Sequence, residues 1–342
     1  MTAARIKELP VLPGIAGIAP FSYHDPNICY GKGMRGGLVV KFDFRTNAAT
    51  DAFDVTKLTG LPAGHMGSLT MSANDVLALT FGGKMQNDDP YLLVYDIKTG
   101  QHHLWNTKEA TLNGKPLPNA PHCTQHSSHI DRGGRHVWVA GSGPEVSGPL
   151  IWDVEKGLVY PMTYKKVGHI VTGYGDMVNM ADKWYYRALD PENINKPKAL
   201  MEHPAGEGYF AYDSHISWNN TRPNMHVPVV LSTYHPLERG DPGYAFGDEI
   251  IAVSTDGSLR VWRFAHHRST YHAPSRGGNP AENKSNFWDS PRGNVSQDGR
   301  FYMFTSNWEE TVGKDSRGRI RQDVFMVKLE REGATVGTAP SN

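Results

Sequence analysis

The chain has 342 residues, of which 39% are hydrophobic and 20% are charged, and its 35 basic and 35 acidic side chains cancel at pH 7. Such a balance gives the surface no overall field that would attract nucleic acid or an anionic membrane. No apolar stretch is long enough to cross a bilayer. We therefore expect a globular protein that binds neither nucleic acid nor a membrane.

The N-terminal segment, MTAARIKELPVLPG, has neither the basic start nor the apolar centre of a signal peptide. This predicts a cytoplasmic protein if the chain is full length, and a secreted or periplasmic protein if a signal peptide has been trimmed. Three prolines within residues 1–20 favour an extended lead-in over a helix. Residues 331–342 are expected to form a mobile tail.

A weak repeat follows the lead-in. Short alternating strands around a polar turn recur in residues 36–55, 65–94, 122–154, 169–189, 212–264 and 287–329. A period of about 40 to 50 residues with about four strands per copy is typical of β-propeller blades. At about 45 residues per blade, the chain length predicts seven blades, with six as the alternative. We therefore expect an all-β propeller of four-stranded antiparallel blades that forms a single domain over residues 1–342.

The two cysteines, Cys29 and Cys123, lie in different repeats, and neither belongs to a C-x-x-C pair. Two separate thiols are the simplest interpretation, and a disulfide between them is the alternative. Asp256 and Asp298 each precede a glycine, which predicts that both form turns.

Polar and ionisable residues recur at the first strand of each repeat. In a propeller that strand lines a central channel, so side chains at equivalent positions come close together. The candidates at these positions and at loop starts are His65, His126, Tyr174, Asp176, His215, His235, His267 and Arg292. Histidine suits acid–base catalysis near neutral pH and metal binding. A hydrogen-bonded structural role is the simpler alternative for any single one of them.

No familiar catalytic or metal-binding spacing accompanies these residues. The chain lacks an H-E-x-x-H segment, a Cys/His zinc set and a G-x-S-x-G turn. His126 and His129 are three positions apart, so a regular strand would put them on opposite faces unless a bulge intervenes. Spacing alone therefore identifies no metal ligands.

The segment from Ser214 to Gly257, SHISWNNTRPNMHVPVVLSTYHPLERGDPGYAFGDEIIAVSTDG, resembles a blade of the oligogalacturonate lyases, which are seven-bladed propellers. The last repeat, with its Ser-x-Asp-Gly turn, is similar as well. The resemblance implies β-elimination on a uronic-acid glycan, with His215 at the position of the family's catalytic histidine. It also implies that His235 corresponds to the histidine of the family's Cys-His pair, with Tyr234 in place of the cysteine.

The family's manganese site, a Gln-x-x-His-x-His arrangement before the last turn, is not retained. That place reads Trp288-Asp289-Ser290-Pro291-Arg292 in this chain. Three interpretations stay open. A divalent metal such as Mn, Ca or Zn is held by other histidines, for example His235 or His267; or Arg292 neutralises the substrate carboxylate instead; or the lyase chemistry is absent. Arginine suits the second role because its planar fork binds a carboxylate through two hydrogen bonds.

The leading hypothesis is a lyase that cleaves a uronate-containing oligosaccharide or polysaccharide by β-elimination. His215 would be the base, Arg292 would bind the carboxylate, and Tyr234 would protonate the leaving oxygen, with Tyr174 as the alternative donor. A substrate-binding role is predicted for His65, His126, Tyr174, Asp176, His235 and His267. Two other functions stay open: a metal-dependent hydrolase or isomerase that uses the same histidines, and a propeller that binds a glycan or a protein without catalysis.

Overall fold

The computed structural model describes residues 15–16, 20–85, 88–146, 148–163, 168–181, 183–201, 213–234, 246–270, 290–316, 318, 320–331 and 334–335. Within these ranges all strand pairings are antiparallel. The only α-helix among them is α1, Val55–Thr59. In this part of the chain, no helix has the length and apolarity needed to span a membrane.

The chain divides into two compact units, and the N-terminal unit comprises Met1–Ile130 and Gly134–Pro161. Its first sheet contains β1 Ile15–Ala16, β2 Ile28–Gly33, β3 Leu38–Asp43 and β4 Ala48–Asp54. The second contains β5 His65–Met71, β6 Val76–Gly83, β7 Tyr91–Asp96, β8 His102–Asn106, β9 Thr111–Leu112 and β10 Lys115–Pro116. The third contains β11 Thr124–Ile130, β12 His136–Ser142, β13 Leu150–Asp153 and β14 Leu158–Pro161.

The C-terminal unit comprises Asp131–Gly133 and Met162–Asn342. The fourth sheet contains β15 Ile170–Thr172, β16 Asp176–Met180, β17 Trp184–Ala188 and β18 Lys198–Met201. The fifth contains β19 Asp213–Ser217, β20 Val229–Tyr234, β21 Glu249–Val253 and β22 Val261–His266. The sixth contains β23 Gly293–Val295, β24 Phe301–Ser306 and β25 Asp323–Lys328, and a final hairpin contains β26 Glu330–Arg331 and β27 Ala334–Thr335.

The six main sheets of the described residues are meanders, in which strands consecutive along the chain are neighbours in the sheet. This is the strand order of propeller blades, and the six sheets coincide with the six repeats of the sequence. The prediction of seven blades is wrong, because it assumed a blade of about 45 residues. Six blades in 342 residues average 57 residues each. Part of the difference from 45 residues per blade is the extra hairpin of β9 and β10 in the second sheet.

Large buried aromatic residues fill the space between strands within each unit. In the N-terminal unit the fully buried rings of Trp105 and Trp152 meet edge to face, with 5.7 Å between their centroids. In the C-terminal unit Trp184 and Trp218 are buried. The indole of Trp218 donates to the carbonyl of Val227 at 2.9 Å. Such rings combine a large buried apolar area with a polar group that needs a partner.

The two turn aspartates have the predicted structural role. Asp298 accepts a hydrogen bond from the backbone N–H of Arg300 at 3.0 Å, and Asp256 accepts one from that of Ser258 at 2.9 Å. The glycine that follows each of them has a positive φ, 72° and 84° respectively, a conformation that glycine adopts without steric cost. The turn prediction is therefore confirmed.

Both cysteines are buried free thiols, as the simpler interpretation predicted. Burial raises the pKa of Cys123 to about 11, although a hydrogen bond with Thr107 acts in the opposite direction. This thiol therefore stays protonated and unreactive at neutral pH.

Candidate functional site

The fifth and sixth sheets of the C-terminal unit hold the three residues predicted to be catalytic. On β19, His215 pairs with Ser232 of β20, and Tyr234 lies two positions further along β20. Because side chains alternate along a strand, the side chains of His215, Ser232 and Tyr234 share one face of the sheet. Ser214 lies on the other face, where its hydroxyl accepts a hydrogen bond from the Trp184 indole at 3.1 Å.

The backbone carbonyl of Pro291 holds the imidazole of His215. Nδ1 of His215 lies 2.7 Å from this oxygen, and the hydroxyl of Ser232 donates to the same oxygen at 3.1 Å. A carbonyl oxygen only accepts hydrogen bonds, so Nδ1 must carry the hydrogen. The other ring nitrogen, Nε2, is therefore the basic one while the ring is neutral.

Tyr302 and Gly293 support this arrangement from the sixth sheet. The hydroxyl of Tyr302 lies 3.0 Å from that of Ser232, and Tyr302 is completely buried. A Cβ added to Gly293 would lie 2.3 Å from the Tyr302 ring, so only glycine leaves room for it. Burial raises the pKa of Tyr302 above its ordinary value, so its hydroxyl stays protonated. Sequence analysis did not select this pair, although Gly293 follows Arg292 directly.

Two aromatic rings flank His215. The ring of Tyr234 stacks on it with 5.2 Å between centroids and 24° between planes. The ring of His169 lies 4.7 Å away at a tilt of 40°. His215 and His169 are half-buried, whereas Tyr234 is only 4% exposed. Sequence analysis did not select His169, although it begins the fourth repeat as His65 begins the second.

Arg292 follows the carbonyl that holds His215. Its backbone is tied to β24, because its N–H donates to the Thr305 hydroxyl at 3.1 Å and its carbonyl accepts from the Thr305 N–H at 2.9 Å. Burial lowers the pKa of the half-buried guanidinium, and the nearby Tyr234 hydroxyl raises it. Arginine nevertheless keeps its charge in proteins. Arg292 thus directly follows Pro291, whose carbonyl binds His215, and lies near Tyr234, whose ring stacks on His215.

Asp176 and Tyr174 lie at the turn between β15 and β16. The side-chain nitrogen of Asn220 lies 3.0 and 3.1 Å from the two oxygens of Asp176. Burial raises the pKa of Asp176 to about 7, hydrogen bonds from Tyr186 and Asn220 oppose this, and the charge of Asp131 adds to it. Tyr174 is half-buried. The hydrogen bonds from Asn220 and Tyr186 enclose this carboxyl group, which favours a structural role.

His267 is completely buried, and both of its ring nitrogens are engaged. Nε2 lies 2.7 Å from the carbonyl of Thr233, and Nδ1 accepts a hydrogen bond from the N–H of Ser269 at 3.0 Å. Burial lowers the pKa of His267 to about 4, so the ring is neutral. We therefore assign His267 to the packing rather than to the substrate or metal roles considered above. His235 lies outside the described residues.

The N-terminal unit contains the other two predicted substrate-binding histidines. Nδ1 of His65 lies 3.1 Å from a carboxylate oxygen of Asp89. His126 is exposed on β11, where the strand register shifts between Gln125 and Ser127. The backbone N–H of Gln125 donates to the Asp89 carbonyl at 3.0 Å, so His126 neighbours a residue paired with Asp89. Sequence analysis did not select Asp89.

Trp288 and Asp289, which stand where the resemblance implies metal ligands, lie outside the described residues. Within the described ranges, no three His, Cys, Asp or Glu side chains are grouped so that they could hold a metal ion. Where the resemblance predicts ligands, the Pro291 carbonyl is engaged by His215 and Ser232. The positive charge of Arg292 would repel a cation there.

Neither a protein-family model nor a curated protein sequence matches the chain. Solved structures do match it. An oligogalacturonate lyase from Vibrio parahaemolyticus is similar, with a TM-score of 0.53, 10% identity, and coverage of 92% of this chain and 77% of that one. An oligogalacturonate lyase in complex with manganese has a TM-score of 0.50, 12% identity and the same coverage, 92% and 77%. Hydrazine synthase of Kuenenia stuttgartiensis has a TM-score of 0.45 at 12% identity, over 88% of this chain and 77% of that one. Identities this low show the fold alone, and the predicted all-β propeller class is confirmed.

Proposed function

We propose that the C-terminal unit removes the proton next to the carboxylate of a uronate-containing glycan and cleaves the glycan by β-elimination. The observation that carries this proposal is the 2.7 Å contact between Nδ1 of His215 and the Pro291 carbonyl. It makes Nε2 the basic nitrogen on a half-buried ring, and a general base needs both a lone pair and access to its substrate. The fold shared with oligogalacturonate lyases supports the same reaction class.

The proposed reaction moves one electron pair through the substrate. Nε2 of His215 takes the proton from the carbon that bears the carboxylate. The electrons of that C–H bond form a C=C double bond with the adjacent carbon, and the C–O bond from that carbon to the neighbouring sugar breaks, with its electron pair leaving on the oxygen. The hydroxyl of Tyr234 protonates the leaving oxygen, and Tyr234 later regains a proton from solvent as His215 loses its own. The Tyr234 ring stacks on His215 with 5.2 Å between centroids, so the proposed acid lies beside the proposed base.

Arg292 has the electrostatic role in this proposal. As the proton leaves, negative charge grows on the substrate carboxylate, and a preformed positive charge stabilises it. A guanidinium binds a carboxylate through two parallel hydrogen bonds, which also fixes the orientation of the sugar. Arg292 is half-buried, so its charge is less screened by water than that of a surface arginine. No step in the proposal passes through a metal.

The rings around His215 orient the base. Its Nδ1 hydrogen is committed to Pro291, and the rings of Tyr234 and His169 limit rotation of the imidazole. A base that is held in its reactive orientation has less conformational freedom to lose in the transition state.

The test is a panel of uronate polymers. The purified protein would be incubated with polygalacturonate, ulvan-type and glucuronate-containing polymers, and the ultraviolet absorbance of the new conjugated double bond would be followed. At least one polymer is expected to give unsaturated product. His215→Gln is expected to lower kcat by about 10²–10⁴-fold, because it removes the general base. Its melting temperature should stay close to that of the wild type.

His226→Gln is the matched control, because His226 is exposed in the same unit. It should retain full activity. Equal losses in the two variants, or a folded wild type that forms no unsaturated product from any polymer, would reject the lyase proposal. A polymer that binds but is not cleaved would favour a non-catalytic glycan-binding protein.

A further inference from the structure

The N-terminal unit holds a histidine–aspartate pair that the proposed reaction does not use. Nδ1 of His65, the first residue of β5, lies 3.1 and 3.2 Å from the two carboxylate oxygens of Asp89. The side chain of Asp89 is 2% exposed, whereas that of His65 is 30% exposed. A buried carboxylate therefore lies beneath a histidine that reaches solvent.

Asp89 sets the orientation of this imidazole. Its carboxylate also accepts hydrogen bonds from the Thr80 hydroxyl at 2.9 Å and from the Gly83 N–H at 3.2 Å. A carboxylate only accepts, so Nδ1 of His65 carries the hydrogen. Nε2 lies on the opposite side of the ring and has no hydrogen-bond partner among the residues that the structure describes.

The backbone of β5 is shaped around the carboxylate. A Cβ added to Gly67 would lie 2.2 Å from the Thr80 hydroxyl and 2.3 Å from an Asp89 oxygen. The pairing of β5 with β6 also shifts register on both sides of Met66. Irregularities of this kind re-aim side chains and often lie next to functional sites. Glycine and the bulged strand together make room for Asp89 beneath His65.

Lys32 brings a positive charge to the same place. Its ammonium donates to the carbonyl of Met66, the residue after His65, at 2.6 Å. An ammonium has three N–H donors, and within the described ranges the carbonyl of Met66 satisfies one of them. Burial lowers the pKa of Lys32, and the attraction of Asp89 opposes that effect. Two donors of a half-buried cation are thus left for a ligand.

We propose that Nε2 of His65 and the ammonium of Lys32 bind an oxyanion, the carboxylate or phosphate group of a small ligand. Lys32 supplies one charge-assisted hydrogen bond, and protonated His65 supplies a second from Nε2. Asp89 accepts the Nδ1 hydrogen of His65 and so directs Nε2 away from the carboxylate. All residues of this site belong to the N-terminal unit.

An exposed pair in the same unit offers a matched comparison. Nδ1 of His122 lies 2.9 Å from a carboxylate oxygen of Glu145, and the two side chains are 57% and 54% exposed. Exposed ion pairs of this kind are screened by water and contribute little free energy. His122→Gln therefore removes a paired histidine without touching the proposed site.

The experiment is calorimetric titration of the full chain with inorganic phosphate and with glucuronate at constant ionic strength. One-to-one saturable binding of at least one anion is expected. His65→Gln and Lys32→Met should each weaken it by about tenfold or more, because each removes one charge-assisted hydrogen bond. His122→Gln should leave the affinity unchanged, and circular dichroism would show that each variant is folded.

Nitrogen-15 spectra of the histidines locate the bound anion. Its addition should shift the Nε2 signal of His65 and leave that of His122 in place. Binding of phosphate alone identifies a phosphate ligand, and binding of glucuronate alone identifies a carboxylate ligand. Saturable binding of neither anion, or equal affinities in the wild type and His65→Gln, would overturn the proposal. His65→Gln decides the matter if Lys32→Met does not fold.

Discussion

The buried carboxyl group of Asp176 makes the stability of the C-terminal unit depend on pH. Its side chain is 9% exposed. Burial raises its pKa from the ordinary 3.8 to about 7. Between these values the folded chain keeps a proton that the unfolded chain releases. The contribution of Asp176 to the free energy of unfolding therefore falls as pH rises from about 4 to about 7. The buried His267, whose pKa is lowered to about 4, contributes in the opposite direction over much of the same range.

The size of the effect follows from the two pKa values. The difference between 3.8 and about 7 corresponds to about 4 kcal/mol in full. About 2 to 3 kcal/mol of this is lost between pH 5 and pH 8, mostly below pH 7, where the folded carboxyl group is protonated and the unfolded one is ionised. Asp176→Asn keeps the shape of the side chain without the ionisation. We expect the wild type to lose about 2 to 3 kcal/mol of stability relative to this variant between pH 5 and pH 8, because only the wild type carries the Asp176 contribution.

Urea unfolding followed by tryptophan fluorescence at pH 5, 6, 7 and 8 measures the difference between wild type and variant. Asp298→Asn is the control, because Asp298 is an exposed turn residue whose pKa is lowered by a hydrogen bond from Ser296. This control should follow the wild-type curve. Parallel curves for wild type and Asp176→Asn across this range would refute the reasoning.

Two further predictions concern the residues around His215. Gly293→Ala is expected to lower the free energy of unfolding by about 1–3 kcal/mol, because its Cβ would lie 2.3 Å from Tyr302. Thermal unfolding compared with Gly36→Ala, whose Cβ would meet nothing within 4 Å, checks this, and equal changes would contradict it. Arg292→Lys is expected to lower kcat/KM by about 10²-fold on a cleaved polymer, because lysine cannot form two parallel bonds to a carboxylate. The exposed Arg222→Lys should change kcat/KM little, and full activity of Arg292→Lys would argue against the carboxylate role.

Short-range sequence patterns were sufficient to predict the strands and turns. The hydrogen bond that shapes the last turn joins Asp298 to the N–H only two residues away, so residue type and spacing predict it. The six repeats were visible for the same reason, since each is a local meander. Seven blades were preferred and six were the alternative, because the lengths of the segments between strands do not follow from strand patterns.

The site depends on contacts between distant segments. His215, Tyr234 and Arg292 were candidates by residue type and resemblance, but the tautomer of His215 depends on the carbonyl of Pro291, 76 positions along the chain. A backbone carbonyl is present at every residue and leaves no mark in the sequence. The partner of His65, Asp89, lies 24 positions away and was not selected.

The contrast between His215 and His267 shows what folding added. Both histidines were candidate site residues in the sequence, yet His267 is completely buried with both ring nitrogens engaged. His215 has one nitrogen tied to a carbonyl and a half-buried ring. The amino-acid sequence by itself determined the strands, the turns and the supply of histidines. Only the tertiary structure decided which of them are completely buried and which stay half-buried, because burial and hydrogen-bond partners arise when distant segments pack together.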